Sequence, residues 1–318
     1  MATLDSNPLV VLCPGQGAQA VGMGRAWFQA SPKARATFEH ADSVLGGRLG
    51  APLSRLCFDG PPEVLNRTDV SQPAIFVTSV ACWRGLLEAS DLGEGEAPLA
   101  ACAGLSLGEY TALHIAGVLT FDEALNLVTL RGRAMQDAAE ASPPSGMVAL
   151  IGADDEQAAA VARDASSGDI LVCANFNAPG QVVLSGSAPA CARAADLAAS
   201  RGFRAAHLAV AGAFHSPFMQ PAADRLADAL AKTSLRPARA PVLSNVTGAP
   251  HDHTMPQTIR ARLVEQLTSP VRWAACVRWL AVHAPGQPHE LAPGKTLAGL
   301  ARKIDRNLKV NTHDLPTD

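Results

Sequence analysis

Short apolar runs alternate along the chain with longer segments in which apolar residues recur every three or four positions. An uninterrupted apolar run is typical of a strand buried on both faces, and the predicted strands are Leu9–Cys13, Leu99–Ala103, Val242–Asn245, His289–Leu291 and Leu308–Val310. The helical spacing predicts the helices Pro73–Glu88, Gly108–Val118, Phe121–Ala139, Pro217–Lys232, Gln257–Leu267, Val271–His283 and Thr296–Ile304. This alternation favours an α/β fold with a mostly parallel sheet covered on both faces.

The pattern changes in the middle of the chain, where shorter elements follow one another. The predicted elements there are strand Gly146–Ile151, helix Asp154–Ala165, strands Ile170–Ala174 and Gln181–Ser185, helix Pro189–Arg201 and strand Arg204–Val210. Their βαββαβ order is that of a ferredoxin-like unit, and the prolines of Ser142-Pro143-Pro144 form a hinge before it. We therefore predict a small subdomain, residues 140–207, inserted into a large α/β subdomain made of residues 1–139 and 208–318.

Composition narrows the class of protein. The chain has 318 residues, a formal net charge of −3 and only 4% aromatic residues, so neither a strong affinity for polyanions nor stacking on nucleic-acid bases is expected. No apolar run approaches the roughly 18 residues that span a membrane, and the start of the chain lacks the basic residues of a signal peptide. The seven cysteines contain no CxxC pair, which favours buried thiols in a reducing compartment. We expect a soluble cytoplasmic protein with no nucleic-acid or membrane partner.

The segment Gly104-Leu105-Ser106-Leu107-Gly108 follows a predicted strand and begins a predicted helix. A strand that turns abruptly into a helix crowds its backbone, so glycines are needed two residues before and after the serine. Such a turn would present the Ser106 hydroxyl at the carboxyl edge of the sheet as a nucleophile, with the next N–H and the helix dipole near developing negative charge. The alternative is a serine that caps the helix at a glycine-rich turn.

A nucleophilic serine needs a base, and His215 is the candidate. It lies just before a predicted helix whose N-cap would be Ser216 and whose first residue would be Pro217. The alternative is a histidine held in a loop by its neighbours. His251 and His253 lie in a Gly/Pro-rich loop without further ligands nearby, so we expect no metal site.

A third candidate is a charged residue on an apolar helix face. Leu127, Arg131 and Met135 are spaced four residues apart and share the core-facing stripe of one predicted helix. A buried guanidinium must find an anionic partner, because an unpaired buried charge is very costly. That partner is either a carboxylate of the protein or a substrate carboxylate held by two parallel N–H donors.

A glycine-rich loop, Pro14–Gln19, follows the first predicted strand. Its sequence is neither GxGxxG nor GxxxxGK[ST], so it gives little support to nucleotide binding. The loop leaves the same edge of the sheet as Ser106, and it is therefore a candidate source of a second N–H donor to an oxyanion.

With these pieces in order, the chain resembles the malonyl-CoA:acyl carrier protein transacylases of bacterial fatty-acid synthesis. The motifs that carry the resemblance run nearly from end to end: PGQGAQ (14–19), QPA (72–74), GLSLGEYTAL (104–113), RGRAMQ (131–136), NFNAPGQVVLSG (175–186), GAFHSPFM (212–219), QLTSPVRW (266–273) and PGKTLAGL (293–300). The resemblance implies an α/β-hydrolase-like large subdomain with a ferredoxin-like insertion, in agreement with the pattern of elements. One departure is Leu105, where many relatives have His.

The resemblance also implies roles for individual residues. Ser106 would be the acyl-accepting nucleophile, His215 its general base and Arg131 the group that holds the malonyl carboxylate. Backbone N–H groups of Gln16 and Leu107 would form the oxyanion hole.

Further residues follow from the same resemblance. The backbone carbonyl of Gln266 would orient the base in place of an acid, and Gln72 and Asn175 would line the pocket. Phe214 would occupy the space that a methyl branch at C2 of the acyl group needs.

The implied activity is ping-pong transfer of a malonyl group from malonyl-CoA to the phosphopantetheine thiol of acyl carrier protein. The implied protein is a monomer that uses no cofactor besides these substrates. Three alternatives stay open: a serine esterase or thioesterase on the same turn, a silent module that docks a carrier protein, and a transacylase for another acyl-CoA in polyketide synthesis.

Overall fold

Strands and helices alternate along most of the chain. The computed structural model describes residues 2–4 and 7–317. Its strands are β1 (Leu9–Cys13), β2 (Leu99–Gly104), β3 (Ser145–Ile151), β4 (Leu171–Ala178), β5 (Gln181–Ser187), β6 (Arg204–His207), β7 (Gln287–Leu291) and β8 (Asn311–His313). Its α-helices are α1 (Arg25–Ala30), α2 (Pro32–Leu45), α3 (Leu53–Asp59), α4 (Pro62–Leu65), α5 (Thr68–Ala89), α6 (Gly108–Ile115), α7 (Phe121–Ala141), α8 (Asp155–Ser166), α9 (Ala188–Ser200), α10 (Gln220–Ala231), α11 (Pro256–Glu265), α12 (Trp273–His283) and α13 (Thr296–Ile304). A short 3-10 helix, Pro217–Met219, precedes α10.

Parallel strands in the order β2, β1, β7, β8 form the central sheet. Every residue of β1 is buried, and successive side chains point to opposite faces, as in any strand. Leu9 and Val11 pack into one apolar core, whereas Val10 and Leu12 pack into another on the opposite face. The sheet is therefore covered on both faces, and the predicted α/β fold is confirmed.

A second sheet is antiparallel and has its own core. Its strand order is β4, β5, β3, β6, and α8 and α9 pack on it around an apolar cluster that includes Val148, Val161 and Leu184. The βαββαβ order predicted for this region is confirmed, with a last strand that is shorter than expected. The subdomain limits at residues 139/140 and 207/208 stay a prediction.

The antiparallel sheet is attached to the larger part of the chain through β4. The N–H of Phe176 donates to the Val271 carbonyl at 2.9 Å, and the N–H of Val271 donates to the Ala174 carbonyl at 2.8 Å. These bonds join β4 to the segment between α11 and α12, so the small sheet lies beside residues that follow Gln266.

Two predicted strands are wrong. Residues 242–245 form no regular strand: Val242 and Leu243 make isolated bridges only, because Pro241 has no N–H to continue a ladder on one side and the N–H of Asn245 donates to the Glu109 side chain on the other. Residues 308–310 precede the last strand instead of forming it. Asp305 accepts the N–H of Asn307 at 2.9 Å on its side chain, which closes a turn, and pairing with β7 starts at Asn311.

Several helices differ from the pattern-based prediction. The helix predicted from Pro73 starts at Thr68, because the first N–H of α5 is accepted by the buried Gln136 side chain at 3.1 Å. Residues 25–65 contain α1 to α4, none of which was predicted. Within the described residues, no helix has the length and apolar character needed to cross a membrane.

Candidate active site

The turn between β2 and α6 is too crowded for side chains at either glycine. A Cβ on Gly104 would lie 1.9 Å from the carbonyl carbon of Gly108, and a Cβ on Gly108 would lie 2.1 Å from the carbonyl oxygen of Cys13. Between them, Ser106 adopts a φ of +53°, in the left-handed region that non-glycine residues rarely enter. The local strain is therefore concentrated on the residue whose hydroxyl the turn presents.

The structure brings His215 to Ser106 from a distant part of the chain. The Nε2 atom of His215 lies 2.9 Å from the Ser106 hydroxyl oxygen, and its Nδ1 lies 2.7 Å from the backbone carbonyl of Gln266. A carbonyl oxygen can only accept, so Nδ1 carries the proton and the unprotonated Nε2 faces the hydroxyl. This is the arrangement that a general base requires.

Burial keeps this imidazole neutral. Burial foremost, and then the positive charge of Arg131, lowers the pKa of His215 to about 4, against the opposing effect of the Gln266 carbonyl. The backbone of His215 has a φ of +56°, and the preceding carbonyl, that of Phe214, accepts a 2.6 Å hydrogen bond from the Ser185 hydroxyl. The small sheet therefore helps to hold the strained histidine in place.

Arg131 lies in α7 with its side chain directed at the serine. One terminal nitrogen donates to Gln72 Oε1 at 2.8 Å, and the other donates to Gln266 Oε1 at 2.9 Å and to the Ser106 hydroxyl oxygen at 3.1 Å. Gly132 makes this approach possible, since a Cβ there would lie 2.6 Å from the Thr68 carbonyl oxygen of α5. The close packing of α7 on α5 thus brings the guanidinium to Gln72.

The charge of Arg131 is not neutralised by a carboxylate among the described residues. The residue is 1% exposed, its carbon Cζ lies 5.6 Å from the centre of the Tyr110 ring, and burial lowers its pKa. Arg133, on the same helix, is half exposed and pairs with Asp69 and Asp137. Among the described residues, the hydrogen-bond partners of Arg131 are therefore neutral oxygens and not a carboxylate.

The loop after β1 packs against the serine turn. A Cβ on Gly15 would lie 2.3 Å from the Leu105 carbonyl oxygen, and the Leu105 N–H donates to the Cys13 carbonyl at 3.1 Å. In the part of the chain that the structure describes, the backbone N–H groups of Gln16 and Leu107 donate to no acceptor. Both N–H groups therefore remain available as donors, and their role as an oxyanion hole stays a prediction.

The remaining predicted site residues, Gln72, Phe214 and Asn175, are all buried but differ in their contacts with the site. Gln72 is fully buried, and besides accepting from Arg131 it directs its amide nitrogen at the Met135 sulfur, 3.3 Å away. Phe214 is buried next to the histidine. Asn175 is buried in β4 and pairs through its backbone with Val271, but its side chain makes no hydrogen bond to the Ser106 cluster within the described residues.

Sequence reasoning missed the groups that hold the turn. Asn245 accepts the Ser106 N–H at 2.6 Å on Oδ1 and donates from Nδ2 to the Gly104 carbonyl at 2.8 Å. Its position at the end of an apolar run, where polar residues reach the carboxyl edge of a sheet, was the available signal. Glu109 and the side chain of Gln266 were also missed, and their contacts with each other are not encoded in any local pattern.

The two histidines of the His251–His253 loop are separated in the structure. His251 is buried with its Nε2 atom 2.7 Å from a carboxylate oxygen of Glu109, whereas His253 is exposed. The described residues contain no group of three or more His, Cys, Asp or Glu side chains that could hold a metal ion.

Comparisons with known proteins agree on one family. The model of the acyl transferase domain family matches residues 10–306. The malonyl CoA-acyl carrier protein transacylase of Escherichia coli K12 is 39% identical over 308 residues, which are 96% of this chain and 95% of that protein.

Solved structures show the same likeness. The crystal structure of malonyl-CoA:acyl carrier protein transacylase from Xanthomonas oryzae pv. oryzae is 41% identical, has a TM-score of 0.90, and matches 99% of this chain and 97% of its own. A malonyl-transacylase in complex with a type II polyketide synthase acyl-carrier protein is 37% identical, with a TM-score of 0.89 and coverage of 97% and 96%.

Proposed function

This chain belongs to the acyl transferase domain family and, within it, to the malonyl-CoA:acyl carrier protein transacylases, and on that premise we propose that it transfers malonyl groups through an ester on Ser106. The donor is malonyl-CoA and the acceptor is the phosphopantetheine thiol of acyl carrier protein. No further cofactor takes part. The observation that carries the proposal is the buried Arg131 guanidinium, 3.1 Å from the Ser106 hydroxyl oxygen and without a carboxylate partner among the described residues.

The first half-reaction forms the acyl-enzyme. His215 Nε2 takes the proton of the Ser106 hydroxyl as its oxygen attacks the thioester carbonyl of malonyl-CoA. The resulting oxyanion lies between the N–H groups of Gln16 and Leu107, at the N-terminus of α6, where the helix dipole favours negative charge. Collapse of the tetrahedral intermediate breaks the C–S bond, and His215 returns the proton to the departing CoA sulfur.

The second half-reaction is the reverse with a different thiol. The phosphopantetheine thiol of the carrier protein gives its proton to His215 and attacks the ester carbonyl, and the proton then returns to the Ser106 oxygen as the ester breaks. Gln266 keeps the imidazole in one orientation through both steps, since its carbonyl accepts from Nδ1 at 2.7 Å. The neutral imidazole required at the start of each step is supported by the low pKa of His215, about 4.

Arg131 selects the acyl group. A malonyl carboxylate accepts two parallel N–H bonds from the guanidinium, which fixes the thioester carbonyl near Ser106. Gln72 holds the guanidinium from the side away from the serine, Asn175 borders the pocket from the small sheet, and Phe214 fills the space that a branched acyl chain needs. A general esterase gains nothing from a buried cation, so Arg131 argues against that alternative.

We place the protein in the cytoplasm as a monomer engaged in fatty-acid synthesis. Support for a reducing compartment comes from the cysteines: all seven are free thiols, and burial raises the pKa of Cys102 to about 12 and that of Cys173 to about 11. A thiol whose pKa is raised is a poor nucleophile and forms disulfides slowly.

Intact-mass spectrometry after incubation with malonyl-CoA tests the function directly. We expect a single malonyl adduct that is lost on addition of phosphopantetheinylated acyl carrier protein, with the malonyl group recovered on the carrier. Ser106→Ala should form no adduct while keeping its melting temperature. A folded wild-type enzyme without an adduct would favour the silent docking module, and an adduct released to water at the same rate with or without the carrier would favour the hydrolase.

A further inference from the structure

A fully buried carboxylate lies behind the site without touching the serine, the histidine or the arginine. Glu109 is in the first turn of α6 and has no exposed surface. Its Oε1 faces His251 Nε2 at 2.7 Å, while its Oε2 accepts from Gln266 Nε2 at 2.7 Å and from the Asn245 N–H at 3.0 Å. These partners come from two parts of the chain more than 130 residues away, so Glu109 ties the loop of residues 245–251 and Gln266 to the helix that follows the serine.

The carboxylate determines which way the Gln266 amide points. Both oxygens of an ionised carboxylate can only accept, so the amide nitrogen must face Glu109, and it also donates to the Ser106 carbonyl at 3.1 Å. The amide oxygen is then left to face Arg131, which donates to it at 2.9 Å. The reversed amide would place an NH2 group against the guanidinium and an oxygen against the carboxylate, so both contacts would be repulsive.

A second branch from Glu109 reaches the strained turn. The backbone of Asn245, held by Glu109, places an amide side chain that accepts the Ser106 N–H at 2.6 Å. The same carboxylate thus stabilises the position of the nucleophile and that of the cation that would recruit the substrate.

Glu109 attracts Arg131 electrostatically but does not bind its N–H donors. Burial lowers the pKa of Arg131, and Tyr110 first and then the carboxylate of Glu109 oppose that effect. One neutral amide separates the two charges, so the guanidinium is stabilised while it stays open to an external carboxylate. A direct ion pair would compete with the substrate for the same N–H donors.

We infer that Glu109 is a positioning residue for acyl-group selection, which acts on Arg131 through the side-chain amide of Gln266. The inference rests on the proposed malonyl transfer. Glu109 then contributes to the preference for malonyl over acetyl groups, in addition to its support of the turn, because an acetyl group has no carboxylate for Arg131 to hold.

The test is the rate of Ser106 acylation in a single turnover, measured with malonyl-CoA and with acetyl-CoA on Glu109→Gln. Loss of the charge and of one acceptor should lower the malonyl rate by about ten- to a hundred-fold more than the acetyl rate, because weaker support of the serine turn affects both donors and weaker positioning of Arg131 affects only malonyl-CoA. Equal losses for the two donors would overturn the inference and leave Glu109 a structural residue. A wild-type enzyme that takes no malonyl group would instead overturn the proposed function.

Gln266→Leu removes the link from Glu109 to Arg131 through the Gln266 amide and leaves the link from Glu109 to the serine turn through Asn245. The carbonyl that orients His215 is a backbone atom and is kept. If Glu109 acts through this amide, adding Glu109→Gln to Gln266→Leu should change the malonyl-to-acetyl ratio by less than about two-fold. A full further loss would contradict the inference.

The control is Glu290→Gln, the same change on another carboxylate without exposed surface, whose oxygens accept the N–H groups of Leu297 and Ala298. It should leave the ratio unchanged even where it lowers the melting temperature. If Glu109→Gln does not fold, Glu109→Asp keeps the charge but shortens the reach, and the same criterion on the ratio applies to it.

Discussion

Replacing Arg131 by alanine should separate malonyl transfer from acetyl transfer. In the structure the guanidinium is 1% exposed and lies 3.1 Å from the Ser106 hydroxyl oxygen, so a bound malonyl carboxylate would lose both of its charged donors. A hydrogen bond to a charged group contributes about 1.5–3 kcal/mol, and two of them about 3–6 kcal/mol. The expected loss in kcat/KM for malonyl-CoA is therefore about 10²- to 10⁴-fold.

Acetyl transfer should be spared, because the remaining machinery is unchanged. Burial is the larger cause of the low His215 pKa, and the charge of Arg131 is the second. Removing that charge raises the His215 pKa from about 4 part of the way toward its ordinary value of 6.5. At pH 7.5 the imidazole then stays unprotonated and able to act as a base.

The assay is steady-state acylation with each donor at pH 7.5, together with a melting curve for each variant. Arg133→Ala is the matched control: it lies on the same helix, is half exposed, and pairs with Asp69 and Asp137. It should change neither rate by more than about two-fold. If Arg131→Ala reduces acetyl and malonyl transfer equally, the guanidinium supports the fold of the site and does not recognise the carboxylate.

Three further outcomes are expected from the surroundings of His215, Glu290 and Gly132. The rate of acylation should fall on the acid side with the His215 pKa of about 4, because the protonated imidazole cannot take the Ser106 proton, and a limb near 6.5 in the pH profile of kcat/KM would contradict the burial argument. Burial raises the pKa of Glu290 from its ordinary 4.5 to about 7, so the free energy of unfolding should fall as pH rises from about 4.5 to 7, and chemical denaturation of Glu290→Gln should show a smaller fall across that range. Gly132→Ala should lower the free energy of unfolding by about 1–3 kcal/mol, since the added Cβ would lie 2.6 Å from the Thr68 carbonyl oxygen. The rate of malonyl transfer should fall as well, because α7 carries Arg131. An unaltered rate of malonyl transfer would show that Arg131 tolerates a shift of α7.

The elements that the sequence predicted best are those whose reasons are local. The strand Leu9–Cys13 and the helix Thr296–Ile304 have the predicted bounds, because an unbroken apolar run and a helical spacing each specify one kind of element. The serine turn was also predictable, because a sharp turn from strand to helix leaves no room for side chains on either side of Ser106 and the sequence has glycine at both positions.

Helix α2, which was not predicted, also has local reasons in the sequence. Ser31 caps α2 by accepting the Ala34 N–H at 3.0 Å, Pro32 occupies its first position, and Phe38 and Leu45 lie on its buried face. Cap, proline and apolar spacing together predict a helix, and all of them stand in the printed sequence.

The support of the site could not be predicted, because it consists of contacts between distant segments. Nothing near Glu109 in the sequence indicates that its carboxylate meets His251 and Gln266, and nothing near Arg131 indicates that its partners are amide oxygens. A core-facing arginine limits the choice to an internal or an external anion. The packing of α7 on α5 and the orientation of the Gln266 amide, neither of which is a local feature, determine which oxygens meet the guanidinium.

The buried cation also couples substrate recognition to the strength of the base. In the free enzyme the charge of Arg131 lowers the pKa of His215, which keeps the imidazole neutral but makes it a weak acceptor of the Ser106 proton. In the proposed mechanism, a malonyl carboxylate bound to Arg131 would cancel most of that charge, so we expect the His215 pKa to rise when the acyl donor is in place. We therefore expect the imidazole to be a stronger base with malonyl-CoA bound than without it. An acyl donor without a carboxylate would lack both the hydrogen bonds to the guanidinium and the rise in the His215 pKa, because Arg131 provides both effects.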